Sequence, residues 1–141
     1  MQLPRWQGRC STDITALNRG GGVSSINGHK PYDLTPRTVS EVVTRVSAGN
    51  YLLGRVGDHG FLVQYVGRSD RDLAKELRSW ARDRSHHKAF TFGYASDPKA
   101  AFERECEDFH DYGGTETLDN AEHPKRPANA DWLCPRCDFY A

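Results

Sequence analysis

The stretch FLVQYVGRSDRDL, residues 61–73, passes from an apolar segment through Gly67 into a charged segment with helical spacing. A second apolar run occupies residues 51–56, and the turn-prone residues 57–60 separate the two runs. Two apolar runs joined by a short glycine-containing turn are typical of an antiparallel hairpin. The sequence therefore predicts a hairpin whose second strand leads directly into a helix.

Further elements are predicted on both sides of this hairpin. Thr35 is a candidate N-cap, and valines at helical spacing predict a short helix to about Ser47. Leucines and a tryptophan at helical spacing predict a second helix in residues 70–85. The alternating aromatics of residues 88–95 predict a third strand, and residues 97–112 predict a long helix that begins with Asp-Pro.

The order helix, hairpin, helix, strand, helix defines the predicted fold class. It is typical of a small α+β domain with a three-stranded antiparallel sheet flanked by helices. We assign residues 35–120 to this domain. Residues 1–34, rich in Gly, Ser, Asn and Pro, predict an irregular N-terminal arm, and residues 121–141 form a polar C-terminal tail.

Composition limits the classes of function. A chain of 141 residues is close to one ordinary domain, and 19 basic against 19 acidic residues exclude a strong overall positive field. No apolar run approaches the roughly 18 residues of a membrane span, and the first ten residues lack the apolar stretch of a secretory signal. We expect a cytoplasmic protein with no membrane partner, and the sequence gives no oligomeric state.

Glu105 stands out on the predicted long helix because it shares a face with Phe102 and Phe109. A buried carboxylate without a partner is costly. Two interpretations are open. Glu105 lies at the rim of the helix face and is solvated, or it points into a site that contains a cation.

Residues 49–120 resemble the GIY-YIG nucleases. The tripeptide GNY at residues 49–51 is similar to the first family motif, and YVG at residues 65–67 is similar to the second. Thirteen residues lie between the two tyrosines, and the extra length falls in the turn. The helix with Ala101 and Glu105 resembles the one that carries the family's metal-binding glutamate, and LDN at residues 118–120 resembles the segment that closes the domain.

The resemblance implies a metal-dependent endonuclease that hydrolyses phosphodiester bonds of DNA, with RNA as an alternative substrate. It implies that Glu105 holds Mg²⁺ or Mn²⁺, that Tyr51 activates the attacking water and that Tyr65 assists. Gly67 is expected to let a phosphate approach the backbone closely. The alternative for both tyrosines is that they only pack against the core. Arg68 is open to two interpretations, a phosphate contact or a surface charge.

One position departs from the family pattern. Glu76 occupies the place of an arginine that steadies the transition-state phosphate, and a carboxylate facing the site would repel phosphate and make the enzyme slow or inactive. Arg68, Lys75 and Arg78 are the candidates to compensate. The second hypothesis is therefore a catalytically impaired GIY-YIG-like module that binds nucleic acid or protein.

The segment from Arg68 to Lys88 carries a local excess of positive charge, with seven basic and four acidic residues. A basic helix face beside the proposed site is where a nucleic-acid backbone could lie. The alternative is an ordinary solvated face of mixed charge. The candidate nucleic-acid-binding residues are Arg68, Arg71, Lys75, Arg78, Arg82 and Lys88.

The tail carries a second group of candidate functional residues, a zinc-knuckle-like CPRC motif with Cys134 and Cys137. Two thiolates at this spacing can reach one tetrahedral Zn²⁺, which needs four ligands. His123 is the candidate third ligand, and the candidates for the fourth are His110, Cys106 and Cys10. The alternative is a free thiol pair or a reversible disulfide, with aromatic packing of the tail as its anchor.

Overall fold

The computed structural model describes residues 30–83 and 86–141 and confirms an α+β domain built on an antiparallel sheet. The strands are β1 (Tyr32–Asp33), β2 (Gly49–Gly57), β3 (Gly60–Ser69) and β4 (Ala89–Tyr94), in the spatial order β1-β4-β2-β3. The helices are α1 (Pro36–Val42), α2 (Leu73–Arg82), α3 (Pro98–Asp111) and α4 (Gly114–Thr117). No helix in these two ranges is long and apolar enough to cross a membrane.

The predicted count of three strands is wrong, because β1 adds a fourth at the edge of the sheet. Tyr32 pairs with Phe90 and Asp33 with Ala89, and the Tyr32 ring lies 5.5 Å from the Phe90 ring. A strand of two residues is too short to show a period-2 pattern in the sequence. The last residues of the predicted arm therefore take part in the sheet, whereas residues 1–29, with Cys10, lie outside the described residues.

The predicted hairpin is confirmed. Strands β2 and β3 pair from Gly49 opposite Ser69 to Gly57 opposite Gly60. Gly60 has a φ of 115°, a conformation that glycine adopts without steric cost. A register shift follows Leu53, so β3 carries one extra residue in its middle.

Helix α1 ends at Val42, although the valine spacing predicted an end near Ser47. The hydroxyl of Tyr94, on β4, accepts a hydrogen bond from the backbone amide of Thr44 at 2.9 Å. This bond gives the amide a partner outside the helix, so the helix need not continue. Val46, predicted on the apolar face, is exposed as a result.

The three longer helices begin at side-chain caps. The side chains of Thr35, Asp72 and Asp97 each accept a hydrogen bond from the backbone amide three residues further along the chain. Helices α1 and α2 cover one face of the sheet and α3 covers the other. Residues 49–54 of β2 are all buried, as expected for a strand that has a neighbour on each side and helices above and below. The ends of β2 and β3 that carry the two motif tyrosines thus lie between helix layers.

Candidate functional site

A cleft of about 470 Å³ opens beside the end of β3. Four of the predicted catalytic residues line it, namely Tyr51, Tyr65, Arg68 and Glu105. Glu76 lines it as well, whereas Lys75 and Arg78 are not among its lining residues in the described part of the chain. The structure therefore brings to the cleft Glu76, which occupies the position of the family arginine, and only one of the three basic residues considered to compensate for it, Arg68.

The hairpin register places Tyr51 directly opposite Gly67. A Cβ atom added at Gly67 would overlap the Tyr51 ring, so the glycine leaves room for the phenol. Gly67 also lines the cleft. The rings of Tyr51 and Tyr65 lie 6.5 Å apart and are nearly parallel. The two motif tyrosines therefore form a stacked pair at the wall of the cleft.

The hydroxyl of Tyr51 joins a short hydrogen-bond chain. Nε1 of Trp80 donates to the Tyr51 oxygen at 2.8 Å, and the Tyr51 hydroxyl donates to Oε2 of Glu76, also at 2.8 Å. Burial raises the pKa of Tyr51 well above its ordinary value of 10.0, and the charge of Glu76 raises it further. Tyr51 is thus a neutral phenol with a carboxylate proton acceptor within hydrogen-bond distance.

Glu105 is buried, with 11% of its side chain exposed, so it is not solvated at the rim of its helix. Its Oε1 accepts a hydrogen bond of 2.6 Å from the guanidinium of Arg68. Burial raises the pKa of Glu105 to about 7, although the charge and hydrogen bond of Arg68 act in the opposite direction. The cation that faces Glu105 in this structure is therefore a side chain of the protein.

Arg68 holds three groups together. Besides Glu105, it donates to Oδ1 of Asp70 and to the backbone carbonyl of Lys125, both at 2.8 Å. Burial lowers the pKa of Arg68, but Asp70 and Glu105 outweigh burial and raise it. Arg68 is thus a fully charged group that links β3, α3 and the tail, and it is not a free surface charge.

The cleft as a whole is acidic. Its lining carboxylates outnumber its lining arginine and lysine side chains. The carboxylates are Asp70, Glu76, Glu105 and Glu122, and the basic side chains are Arg68 and Lys125. Such a surface attracts cations and repels a polyanion unless a cation offsets the charge. Sequence reasoning missed Glu122 and Lys125, because only the fold brings the tail next to the end of β3, and it counted Asp70 only among the charges of the segment after β3.

The remaining candidate nucleic-acid-binding residues are not among the lining residues of the cleft. Four of them are exposed and one is half-buried, and the five are Arg71, Lys75, Arg78, Arg82 and Lys88. Lys88 directly precedes β4, and its amide donates to the Gly54 carbonyl at 2.8 Å. Apart from Arg68, the described basic residues of this segment therefore do not line the cleft.

Asn120 fixes the segment that follows α4 against the sheet. Its side-chain oxygen accepts from the Val66 amide at 3.1 Å, and its side-chain nitrogen donates to the Val66 carbonyl at 2.8 Å. Asn120 is buried and also lines the cleft. This clamp directs the following residues, including His123, toward the cleft wall.

Four side chains meet beside the cleft in a group that could hold a metal ion such as zinc. They are His110, His123, Cys134 and Cys137, whose donor atoms all lie within 4.8 Å of one another. His110 Nε2 lies 3.5 Å from the Cys134 sulfur, and His123 Nε2 lies 3.3 Å from the Cys137 sulfur. Donor atoms of a tetrahedral zinc site stand roughly 3.3–3.8 Å apart, given the bond lengths to sulfur and nitrogen. The donor set therefore fits a closed Cys₂His₂ site.

The orientation of His123 favours metal binding. Its Nδ1 lies 2.9 Å from the carbonyl oxygen of Pro124. Because a carbonyl oxygen can only accept, Nδ1 carries the proton and Nε2 keeps its lone pair toward the cluster. A hydrogen bond of this kind to the far ring nitrogen is usual for metal-ligating histidines.

Cys106 lies next to this group but is not part of it. Its thiol forms a hydrogen bond with Cys134, and that bond, together with one from His110, lowers the pKa of Cys134, while burial opposes them. A lowered pKa favours the thiolate, which is the form that binds metals. Of the two described candidates for the fourth ligand, His110 and Cys106, His110 is the one that belongs to the group, and the third candidate, Cys10, lies outside the described residues.

The cluster and the cleft share a wall. His123 belongs to the cluster and also lines the cleft, and Lys125, two residues later, is held by Arg68 through its carbonyl. The tail, residues 121–141, contains no helix or strand, so its position depends on side-chain contacts and on these ligands. Binding of a metal by the cluster would fix the position of the tail and, through the shared wall, the shape of the cleft.

Comparison of the chain with protein-family models, with curated proteins and with solved structures gave no match.

Proposed function

We propose that the chain is a metal-dependent endonuclease that hydrolyses phosphodiester bonds of DNA by a mechanism similar to that of the GIY-YIG nucleases. The observation that carries this proposal is the convergence of Tyr51, Tyr65, Arg68 and Glu105 on one cleft, from three separate elements of the fold. Tyr51, Tyr65 and Glu105 were candidates through the motif resemblance, and Arg68 was a candidate through its place at the end of the second motif strand.

The proposed roles follow from the contacts of each side chain. Glu105 would hold Mg²⁺ or Mn²⁺, which would neutralise charge on the phosphate and on the leaving oxygen. Tyr51 orients the attacking water, and its hydroxyl passes a proton toward Glu76, 2.8 Å away. Tyr65 stacks on Tyr51 and assists in positioning.

Arg68 takes the role for which Glu76 is unsuited. In the proposed complex, its guanidinium leaves the Glu105 carboxylate and pairs with the phosphate, since a planar guanidinium matches two phosphate oxygens. Asp70 and the Lys125 carbonyl hold the rest of the guanidinium in place. This exchange couples ionisation of Glu105 to binding of substrate.

Incubation with supercoiled plasmid tests the proposal. We expect nicked circles in the presence of Mg²⁺ or Mn²⁺ and none with a chelator of those ions. Parallel reactions with single-stranded RNA and with duplex DNA identify the preferred substrate. Tight binding of DNA without cleavage in either metal would contradict the endonuclease and support the binding module.

Cleavage should depend on pH through Glu105. With its pKa at about 7, Glu105 is mostly protonated at pH 6 and mostly ionised at pH 8, so its ionised fraction rises about tenfold between these values. A neutral carboxyl is a poor metal ligand, so we expect the nicking rate to rise about tenfold over this range at subsaturating Mg²⁺. A flat profile between pH 6 and 8, with the fold intact by circular dichroism, would refute this role.

Replacing Glu76 with glutamine should strengthen DNA binding. The substitution removes one negative charge from the cleft wall and keeps an oxygen that can accept from Tyr51. Removal of one repulsive charge at this range is worth about 1 kcal/mol, or roughly a fivefold lower Kd. Fluorescence anisotropy of a labelled duplex in Ca²⁺, at one fixed salt concentration, measures the change, and Glu41→Gln on α1 is the control. Equal affinity of wild type and Glu76→Gln would show that DNA does not approach this wall.

A further inference from the structure

A second cluster of ligand-type side chains lies apart from the cysteines and the cleft carboxylates. His86 and His87 precede β4, and Asp119 follows α4. Nε2 of His86 lies 2.8 Å and Nε2 of His87 lies 2.9 Å from the same oxygen, Oδ2 of Asp119. Two imidazole nitrogens and one carboxylate oxygen are thus directed at a common point.

The backbone on both sides of this point is held by the sheet. The amide of Asp119 donates to the carbonyl of Gln64 at 2.7 Å, and the Asn120 clamp on β3 follows immediately. On the other side, the amide of Lys88 donates to the Gly54 carbonyl of β2 at 2.8 Å. The donor atoms therefore approach one another because of the fold, and not only because of flexible side chains.

The cluster is closed on one side and open on the other. The His87 side chain is 3% exposed and lies against the rings of Tyr65 and Trp80, at 6.1 and 5.9 Å. His86 and Asp119 are 69% and 43% exposed. A group bound here would have protein behind it and solvent in front.

The donor set defines the ligand class. Imidazole nitrogen combined with carboxylate oxygen suits borderline dications such as Zn²⁺, Co²⁺ and Ni²⁺, and three protein ligands leave positions for water or an incoming oxygen. With bonds of roughly 2.0–2.2 Å, neighbouring donors stand about 2.8–3.1 Å apart in an octahedral site and about 3.3–3.6 Å apart in a tetrahedral one. The observed 2.8 and 2.9 Å match the octahedral spacing and need to widen by about half an ångström for the tetrahedral one.

We propose that His86, His87 and Asp119 form a second metal site, separate from the Cys₂His₂ cluster, which takes a transition-metal dication and keeps coordination positions open to solvent. On binding, the metal takes the place between the two Nε2 atoms and Oδ2, and an imidazole that carries a proton on Nε2 releases it to solvent or carries it on Nδ1 instead. Tyr65 lies between this site and the cleft, since it touches His87 and lines the cleft. The proposal does not depend on cleavage of DNA.

The test is a calorimetric titration of Ni²⁺ into full-length, untagged protein that already holds one equivalent of Zn²⁺. We expect one binding event in wild type and an affinity at least about tenfold weaker in His86→Ala, a change at an exposed residue that leaves the core intact. The matched control is His59→Ala, because His59 is an exposed histidine in the β2–β3 turn. It should bind like wild type.

Two outcomes would overturn the proposal. One is the absence of a Ni²⁺ binding event in the zinc-loaded wild type, which would mean that His86, His87 and Asp119 form hydrogen bonds with one another but bind no metal. The other is equal Ni²⁺ affinity in wild type, His86→Ala and Asp119→Asn, which would place the bound metal elsewhere. Circular dichroism of each variant establishes that the fold is retained before the affinities are compared.

Discussion

Replacement of Glu105 with glutamine is expected to lower the rate of plasmid nicking by a factor of about 10²–10³ or more, the scale seen when one group that stabilises transition-state charge is removed. A neutral amide has nearly the same shape as the carboxylate but is a much weaker ligand for Mg²⁺, which prefers anionic oxygen. The substitution also removes the charge that faces Arg68 at 2.6 Å. Asp70 remains as a carboxylate partner of Arg68, so the arginine is not left unpaired.

The matched control for this experiment is Glu103→Gln. Glu103 lies on the same helix, α3, but pairs with Lys99 at 3.3 Å, and 40% of its side chain is exposed. It does not line the cleft within the described residues. We expect its nicking rate to stay within about twofold of wild type, since exposed ion pairs contribute little. Comparable rates for the two variants, or an unchanged rate in Glu105→Gln, would remove Glu105 from the reaction.

Local patterns in the sequence were sufficient to predict most of the elements. The hairpin around the turn at Gly60, the helix that Asp72 caps and the helix that Asp97 caps were all predicted, because turn residues, caps and apolar spacing act within a few residues of each other. The same local reasoning failed where the determining contact is distant. Strand β1 exists because Tyr32 meets Phe90, 58 positions further along the chain.

The candidate site shows the same division between local and distant information. The sequence identified Tyr51, Tyr65 and Glu105 as residues that belong together, and they line one cleft. It did not identify which residue takes the place of the family arginine, because Arg68, Lys75, Glu76 and Arg78 were all candidates for that place. Only the end of β3 brings Arg68 to Glu105, while α2 turns Glu76 toward the Tyr51 hydroxyl.

The fourth ligand of the cysteine–histidine cluster was likewise one of three open choices. His110 lies in the last turn of α3, on the side of the helix to which the tail returns, and Cys134 packs against Phe102 and Cys106 of the same helix. The CPRC spacing predicts a pair of thiolates but carries no information about where the chain crosses α3. That crossing depends on aromatic packing between Trp132 and Phe102, whose rings lie 5.7 Å apart.

Substitution of Cys134 with serine is expected to reduce bound zinc from about one equivalent per chain to a small fraction, because a serine hydroxyl does not replace a thiolate in a tetrahedral site. Metal analysis after dialysis measures the zinc content. Cys106→Ala is the matched control, since Cys106 is buried beside Cys134 but lies outside the four-ligand group. It should keep its zinc, and equal zinc in both variants would contradict the assigned ligands.

Loss of this zinc should also free the tail and alter the cleft. Binding energy of a structural zinc is folding energy for the segment it closes, so we expect a loss of about 3 kcal/mol or more and a melting temperature lower by roughly 10 °C. Limited proteolysis should then cut within residues 121–141, which contain no helix or strand, before it cuts the sheet. Because His123 and Lys125 line the cleft, DNA cleavage should fall together with the zinc content. Full cleavage by a zinc-depleted protein with a proteolysed tail would instead show that the sheet, α2 and α3 suffice for the chemistry.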